Sequence, residues 1–303
     1  MKNLTPDIDV LASGLGFIEG PVFRDGVLYI CDIKGGVVWR VNGSEKAVVA
    51  DLGGGPNGLA FGPDGLLYVA NNGGNMRWEK VGDLTLSHGF ETKGYEPRIE
   101  RIDLSTSKVE RVVDHINSRK FEAIDDIIFD PRGGFWFTDL GRDGHHHRTY
   151  GGIYWSDGSQ NDCRQLAYPL PMGANGIGLA PDSTKLYATE YGAGRLWVWD
   201  TNAPGELEHS GKAAHGGRLL WQAPDAQLLD SLAVAPNGNI FIANQPSGVF
   251  SVISPQGAHL ANLHMPEHFP TNLCFDPDLP NVAFATLSST GSLARIQWDE
   301  LAF

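Results

Sequence analysis

One motif recurs six times along the 303 residues of this chain, and it constrains the fold more than any other feature. Each copy has a small polar segment, a short β-like run, a turn built on Pro, Asp, Asn or Gly, and a second β-like run. The first polar residue of each copy, termed the lead residue, is Glu19, Asn57, Asp125, Asn175, Asp230 or Thr271. Because a repeat places equivalent residues in equivalent positions, the six lead residues should converge on one axis.

The spacing of the lead residues predicts a β-propeller. They are 38, 68, 50, 55 and 41 residues apart, and repeats of about 40–50 residues with about four strands each are typical of propeller blades. We therefore predict an all-β fold, a six-bladed β-propeller that occupies residues 1–303 as a single domain. Residues 8–12 are expected to supply the outer strand of the last blade and close the ring. The long second interval contains an insertion, residues 72–98, with a polar and irregular sequence.

The predicted fold places the lead residues at one mouth of the central channel. The first strand of each blade lines that channel, and each lead residue is expected to precede this strand. The second strand returns to the same mouth, so the loop that follows it shares this face. These loops begin at Asp32, Asn71, Asp139, Glu190, Asn244 and Leu287.

The lead residues favour a cation site. Glu19, Asp125 and Asp230 are carboxylates, and Asn57 and Asn175 offer amide oxygens. Without a cation, carboxylates packed around one axis would repel one another and raise each other's pKa. Calcium takes six to eight oxygen ligands in flexible geometry, whereas zinc prefers the His and Cys that these positions lack. The alternative is that the Asn, Asp and Gly residues only shape the chain that enters each first strand.

Composition excludes several classes of partner. The net charge of −13 and the lack of a basic stripe disfavour nucleic acid and anionic membrane surfaces. The apolar runs are too short to span a bilayer, and residues 1–7 have no apolar signal region. Three widely spaced cysteines form no metal-ligand pattern and favour a reduced, cytoplasmic setting. The acidic charge serves solubility, attraction of cations, or both.

Several motifs together resemble the senescence-marker-protein, gluconolactonase and luciferin-regenerating family of six-bladed propellers. They are Glu19-Gly-Pro, the segment 175–190 that begins Asn-Gly-Ile-Gly-Leu-Ala-Pro-Asp, and the segment 230–238, Asp-Ser-Leu-Ala-Val-Ala-Pro-Asn-Gly. The resemblance covers roughly residues 8–298. Within the family, residues 124–139 are more similar to the staphylococcal drug-responsive lactonase than to regucalcin.

This resemblance implies a lactone hydrolase that depends on one divalent cation, usually calcium; Mn²⁺, Mg²⁺ and Fe²⁺ suit the same ligand types. The third-blade position is Asp125 here, where regucalcin-like members have Asn. This departure makes the site more anionic than in regucalcin-like members, so their specificity for sugar lactones is not carried over to this chain. Asn57 is expected to line the pocket. The metal ligands that the resemblance implies are Glu19, Asp125, Asn175, Asp230 and Ser231.

Hydrolysis of a lactone requires a polarised carbonyl, an activated water and a stabilised oxyanion. A cation supplies the first and third, and a neighbouring carboxylate accepts the proton of the water. We expect Asp125 or Asp126 to be this base, with Asp230 as the second choice. No Gly-x-Ser-x-Gly segment indicates a serine nucleophile.

Four residues are predicted to contact a small-molecule lactone or ester substrate: Asn57, His145, His147 and Tyr191. The two histidines fall in the segment 139–152, for which a solvated loop without function is the alternative. Trp78 and Arg77 of the insertion are candidates to cover the pocket. Competing functions are a metal-dependent arylesterase or phosphotriesterase-like hydrolase, and a non-catalytic propeller that binds a ligand at its mouth. A purely structural cation is a third possibility, and the oligomeric state is open.

Overall fold

Residues 1–91, 95–144, 146–299 and 303 are described by a computed structural model of the protein. Within these residues, six antiparallel sheets follow one another as the blades of a propeller. The chain starts with β1 (Lys2–Leu4) and β2 (Asp7–Ala12), and blade 1 consists of β3 (Ile18–Arg24), β4 (Val27–Asp32), β5 (Val37–Asn42) and β6 (Glu45–Asp51). Blade 2 consists of β7 (Pro56–Phe61), β8 (Leu67–Asn71), an inserted hairpin of β9 (Met76–Val81) and β10 (Leu84–Phe90), then β11 (Arg98–Asp103) and β12 (Lys108–Val113).

A two-stranded connection, β13 (His115–Ile116) and β14 (Arg119–Lys120), leads to the second half of the ring. Blade 3 consists of β15 (Ile124–Phe129), β16 (Phe135–Asp143), β17 (Arg148–Ser156) and β18 (Cys163–Leu170). Blade 4 consists of β19 (Ala174–Leu179), β20 (Lys185–Glu190), β21 (Arg195–Asp200) and β22 (Arg218–Gln222). Blade 5 consists of β23 (Leu228–Val234), β24 (Ile240–Gln245), β25 (Val249–Ile253) and β26 (His259–His264), and blade 6 of β27 (Pro270–Phe275), β28 (Val282–Leu287) and β29 (Ser292–Gln297).

The N-terminal strands close the ring. Strand β2 pairs antiparallel with β29 as the outer strand of blade 6, and β1 adds in parallel to β26 of blade 5. The prediction of a six-bladed propeller closed by an N-terminal strand is therefore confirmed. Closure satisfies an edge that would otherwise expose unpaired backbone groups.

The hydrophobic core lies between the blades. Most buried apolar residues of the described chain form six clusters, and each cluster joins two neighbouring blades. Trp136 of blade 3, for example, packs with Ile177 and Leu186 of blade 4. Because each sheet buries both faces against its neighbours, second strands such as β8 (LYVAN) and β28 (VAFATL) are mostly apolar, as expected for sheets covered on both sides.

Two segments expected to be irregular are strands instead. The insertion 72–98 contains the β9–β10 hairpin, whose turn is Gly82-Asp83 with φ of +62° at Gly82. A Gly-Asp pair between two alternating runs is a hairpin signal, and the charged residues Arg77, Glu79 and Lys80 of the hairpin are exposed. The segment 139–152 continues β16 and β17 beyond the blade as a paired extension that reaches Asp143 and Arg148.

The lead residues lie inside the first strands and not before them, which corrects the expectation. Glu19, for example, is the second residue of β3. Each first strand has a register irregularity around its lead residue. Such a bulge adds a residue to one strand and re-aims its side chains. It allows consecutive residues to face the channel where strict alternation would send one of them into the blade.

Threonines of the second strands fix these bulges to the neighbouring blade. Thr138 Oγ1 accepts a hydrogen bond from the Asp126 amide (3.0 Å) and donates to the Asn175 carbonyl of the next blade (2.5 Å). Thr189 Oγ1 accepts from the Gly176 amide (2.8 Å) and donates to the Asp230 carbonyl (2.9 Å). The backbone of each of these lead residues is therefore held by the blade before it.

The helical content of the described residues is a single 3-10 turn, Tyr191–Ala193, between β20 and β21. Its three residues are far too few to cross a bilayer.

Candidate active site at the mouth of the channel

One cavity of about 180 Å³ lies where the six first strands begin. All six lead residues line it, together with side chains from the loops that follow the second strands and from the β9–β10 hairpin. The lead residues in this cavity are Glu19, Asn57, Asp125, Asn175, Asp230 and Thr271.

Glycines next to three lead residues let the inner strands approach closely. A Cβ atom at Gly20 would lie 2.3 Å from the Asn57 carbonyl, and one at Gly176 would lie 2.5 Å from the Leu232 amide nitrogen. At the equivalent position the other three blades carry Asp126, Ser231 and Asn272. Gly58, for example, makes room for Asp126, whose Oδ1 would lie 2.7 Å from a Cβ atom at that position.

The cavity concentrates negative charge in a buried place. Burial raises the pKa of Glu19 well above its ordinary value, and the nearby Asp230 and Asp126 carboxylates raise it further. Burial likewise raises the pKa of Asp125, with added repulsion from Asp230 and Asp126. The pKa of Asp230 is raised to about 7, mainly by burial and against hydrogen bonds from Asn175 and Gln245 that lower it. The charged forms therefore lack a counter-ion.

Two of these carboxylates are incompletely hydrogen-bonded. Glu19 Oε2 accepts hydrogen bonds from Asn272 Nδ2 (2.9 Å) and from the Gly20 amide, but Oε1 is buried without a partner. No hydrogen bond lowers the pKa of Asp125, whose environment consists of burial and neighbouring carboxylates. A buried, unpaired carboxylate oxygen is costly, so both side chains are available to a ligand in the cavity.

Asp230 and Asn175 are held in place by residues around them. Gln245 Nε2 donates to Asp230 Oδ2 at 2.6 Å, and Gln245 Oε1 lies 3.5 Å from the Tyr191 hydroxyl. Ser231 Oγ lies 3.4 Å from Asn175 Oδ1 and donates to it. Ser231 therefore orients the Asn175 side chain, but it does not line the cavity itself.

Asp125 and Asp126 face different spaces. Asp125 lines the cavity at the mouth, whereas Asp126 lines a second cavity of about 320 Å³ farther along the channel. Asp126 accepts a hydrogen bond from the Ile127 amide (2.9 Å) and a longer one from the Ile177 amide (3.5 Å). Burial raises its pKa to about 7. Of the three candidate bases, Asp125 and Asp230 line the mouth cavity, whereas Asp126 does not.

The four predicted substrate contacts separate into two groups. Asn57 and Tyr191 line the cavity. His147 is exposed at the tip of the β16–β17 extension and does not line the cavity. His145 lies outside the described residues.

The β9–β10 hairpin forms part of the cavity wall. Met76, Ser87, Gly89 and Phe90 line the cavity, and the Trp78 ring packs against Phe17 with 5.0 Å between ring centroids. Neither residue expected to cover the pocket lines the cavity: Trp78 packs on Phe17 beside it, and Arg77 is exposed. Other residues of the same hairpin form the wall instead.

Sequence reasoning missed Gln245 and Asn272, which hold Asp230 and Glu19. Gln245 ends the second strand of blade 5, next to Asn244, where a pocket-lining loop was expected to begin. Asn272 follows the lead residue Thr271, at the position equivalent to Asp126 and Ser231. Its position within the repeat was the sequence signal that could have identified it.

The donor set fits a hard divalent cation by its chemistry. Carboxylate and amide oxygens are the ligands that such ions take, Glu19 Oε1 is unpartnered, and none of the described lining residues is Lys, Arg or His. Over the described part of the chain, however, no three His, Cys, Asp or Glu side chains lie close enough to form a cluster alone. A cation here needs oxygens from Asn175 and from solvent in addition to carboxylates.

The fold and the cavity define a six-bladed β-propeller with an acidic, oxygen-rich mouth. The sequence profile of the SMP-30/gluconolactonase/LRE-like region matches residues 17–287. The chain belongs to this family, which confirms the resemblance seen in its motifs.

Curated relatives and solved structures agree with this assignment. The chain is 26% identical over 265 residues to lactonase drp35 of Staphylococcus saprophyticus, covering 86% of this chain and 73% of that protein. It is 23% identical over 300 residues to a gluconolactonase of Zymomonas mobilis, covering 90% and 77%. A gluconolactonase of Xanthomonas campestris has the same fold, with a TM-score of 0.74, 20% identity and coverage of 96% and 89%.

The fold also occurs outside this group of enzymes. A structure of regucalcin, a calcium-binding protein from Agrobacterium tumefaciens, superposes with a TM-score of 0.74 at 16% identity, covering 98% of this chain and 95% of that one. A chain of a nidogen/laminin complex superposes with a TM-score of 0.60 at 16% identity, covering 83% and 81%. Fold alone therefore does not define function, and the cavity has to carry the argument.

Proposed function

We propose that this protein is a lactonase that opens the ring of a small lactone by hydrolysis, with one divalent cation, most favourably calcium, held at the mouth of the channel. The observation that carries the proposal is the convergence of Glu19, Asp125 and Asp230 in one buried cavity without a cationic side chain. The relatives named lactonase and gluconolactonase support the reaction, and the calcium-binding neighbour supports the metal.

Glu19, Asn175 and Asp230 are the residues that would hold the cation, with Asp125 beside them. When bound, the cation would polarise the lactone carbonyl and stabilise the developing oxyanion. It would also offset the repulsion that raises the pKa of each of these carboxylates.

Asp125 is the proposed general base. Its carboxylate lines the cavity and no hydrogen bond lowers its pKa, so it is free to accept a proton from the attacking water. The water oxygen bonds to the carbonyl carbon, the ring C–O bond breaks, and the ring oxygen leaves as a hydroxyl after it takes up a proton. The product is an open-chain hydroxy acid.

Tyr191 and Asn57 are proposed to position the ring. Burial raises the pKa of Tyr191, and Asp230 and Asp125 raise it further, so the phenol stays protonated and can donate a hydrogen bond to a substrate oxygen. Asn57 presents an amide to the same cavity. His147 is not part of this proposal because it lies outside the cavity.

The test is hydrolysis of a small lactone panel by metal-stripped protein to which calcium, manganese or ferrous iron is returned. The panel includes gluconolactone, dihydrocoumarin, γ-butyrolactone and an acyl homoserine lactone, with phenyl acetate and a phosphotriester to represent the rival hydrolases. We expect turnover of at least one lactone only when metal is present. Turnover of the open-chain esters alone would assign the site to the rival class. If the folded protein binds metal and hydrolyses none of these compounds, the non-catalytic, ligand-binding propeller becomes the supported function.

A further inference from the structure

We propose that the β9–β10 hairpin selects the substrate, because Met76 and Phe90 form an apolar wall that admits a compact, uncharged lactone and excludes larger or anionic ones. This inference rests on the proposed function, since it concerns the same cavity.

The hairpin is fixed over the mouth at both ends. It leaves blade 2 after Asn71, and its Trp78 ring packs on Phe17 at the entry to blade 1. Near its tip, the Thr85 amide donates to the Ser289 carbonyl of blade 6 at 2.8 Å. Thr85 is buried although the hairpin is an insertion. The hairpin therefore crosses from blade 2 to blade 6 as a fixed wall.

The wall is built by a cross-strand pair and a bulge. Met76 and Phe90 are directly paired across the hairpin, and the register shifts between Ser87 and Phe90. Gly89, in this shift, has φ of +68°, a conformation that a residue with a Cβ adopts only with strain. The bulge turns the strand so that Met76, Ser87, Gly89 and Phe90 all line the cavity.

The lining chemistry defines the substrate class. Besides Met76 and Phe90, the apolar lining residues are Phe17, Ile33 and Leu140. A hydroxyl that faces this apolar part of the lining would lose its hydrogen bonds to water without replacement, whereas the polar lining residues, such as Asn57 and Thr271, belong to the first strands. The buried carboxylates would repel an anionic substituent, and no described lining residue carries a basic side chain to pair with one. The cavity, at about 180 Å³, is also small for a ligand site.

The experiment replaces the Phe90 side chain of the wall with a smaller and with a larger one. Phe90→Ala and Phe90→Trp are compared with the wild type on γ-butyrolactone and on γ-nonalactone, which adds a five-carbon chain to the same ring. We expect Phe90→Ala to raise the nonalactone-to-butyrolactone ratio of kcat/KM at least tenfold and Phe90→Trp to lower it. Val81→Ala, an exposed position of the same hairpin, is the matched control and should leave the ratio unchanged.

A second pair of substrates tests charge. γ-Butyrolactone is compared with the same ring bearing a γ-carboxylate, and we expect the anionic ring to have at least a tenfold lower kcat/KM. Thr85→Pro removes the donor to Ser289 and leaves Met76 and Phe90 unchanged. We expect it to raise the nonalactone ratio because the wall is no longer held against blade 6. Ratios within twofold of wild type in both Phe90 variants, with melting temperatures that show them folded, would overturn the inference.

Failure of the proposed function is distinguishable from failure of this inference. If the wild type hydrolyses no lactone, the corresponding lactams, which resist hydrolysis, are titrated by ligand-observed NMR. Preference for the unsubstituted lactam in the wild type, reversed by Phe90→Ala, would support the wall without lactonase activity. Equal binding of both lactams, or binding of neither, would overturn the inference as well.

Discussion

Gln245 Nε2 lies 2.6 Å from Oδ2 of Asp230 and donates a hydrogen bond to it. The two residues are fifteen positions apart on neighbouring strands of blade 5, and the same amide group lies 3.5 Å from the Tyr191 hydroxyl of blade 4. Gln245 thereby fixes a proposed metal ligand and a proposed substrate contact relative to each other.

Gln245→Leu should lower kcat/KM for the preferred lactone by on the order of 10- to 100-fold. A hydrogen bond to a charged group is worth about 1.5–3 kcal/mol, and each 1.36 kcal/mol corresponds to about tenfold in rate. Calcium affinity measured by calorimetry should fall as well, because Asp230 loses its fixed orientation. Gln256→Leu, at an exposed turn residue, is the control. Unchanged turnover in Gln245→Leu would remove this residue from the site.

Asp125→Asn and Asp126→Asn separate two adjacent carboxylates. We expect Asp125→Asn to reduce kcat by about 10²–10⁴-fold, the contribution typical of a general base. Asp126→Asn should reduce it less, because Asp126 lines the second cavity. Steady-state rates at saturating metal are the measurement. If Asp125→Asn keeps more than half of the wild-type rate, Asp125 is not the base.

Calcium should stabilise the wild-type protein and fail to stabilise Glu19→Gln to the same extent. An ion that binds only the folded state adds about 2.7 kcal/mol at a hundred times its Kd, and Glu19 presents an unpartnered buried oxygen for it. The melting temperature is followed as calcium is added to metal-stripped protein. Glu79→Gln, an exposed position on the hairpin, is the control. Equal calcium responses in all three proteins would place the ion elsewhere.

Glu267→Gln should make the protein more stable above pH 7 and leave its stability near pH 4 almost unchanged. Burial raises the pKa of Glu267 to about 7, and its Oε1 has no partner. Because this folded-state pKa exceeds the unfolded value, the unfolded chain releases the proton first, and wild-type stability falls as the pH rises from about 4.5 to about 7.

The cost of ionising Glu267 is up to about 3 kcal/mol by the size of this shift. Chemical denaturation of both proteins at several pH values measures it. The Gln variant should lose less stability than the wild type between pH 4.5 and pH 7. Parallel curves for the two proteins would contradict the prediction.

Gly176→Ala should destabilise the fold by about 1–3 kcal/mol, the typical cost of overpacking. Its Cβ would lie 2.5 Å from the Leu232 backbone nitrogen of the next blade, which cannot move without shifting a strand. Gly178→Ala is the matched control, since its Cβ would meet side-chain atoms of Leu232 and Val234 and no backbone atom. Denaturation midpoints measure the difference. Equal losses in the two variants would show that backbone approach is not the constraint.

The candidate site was only partly predictable because the bulges decide which side chains face the mouth. Asp125 and Asp126 are adjacent and chemically equal in sequence, and only the register irregularity of β15 sends one to the mouth and the other along the channel. His147 was expected on the same face as the lead residues, but it lies at the exposed tip of the paired β16–β17 extension and does not line the cavity. Gln245 had no motif of its own to mark it.

The sequence by itself determined the number of blades, the closing strand and the identity of the lead residues. Because every blade is built from the same repeat, equivalent residues of the six blades occupy equivalent positions around the central axis once the ring is closed. The tertiary structure alone decided that the hairpin spans the mouth from blade 2 to blade 6 and that Asn272 and Gln245 hold carboxylates of other strands. These contacts join residues far apart in the chain, and neither alternation nor spacing encodes the distance between them.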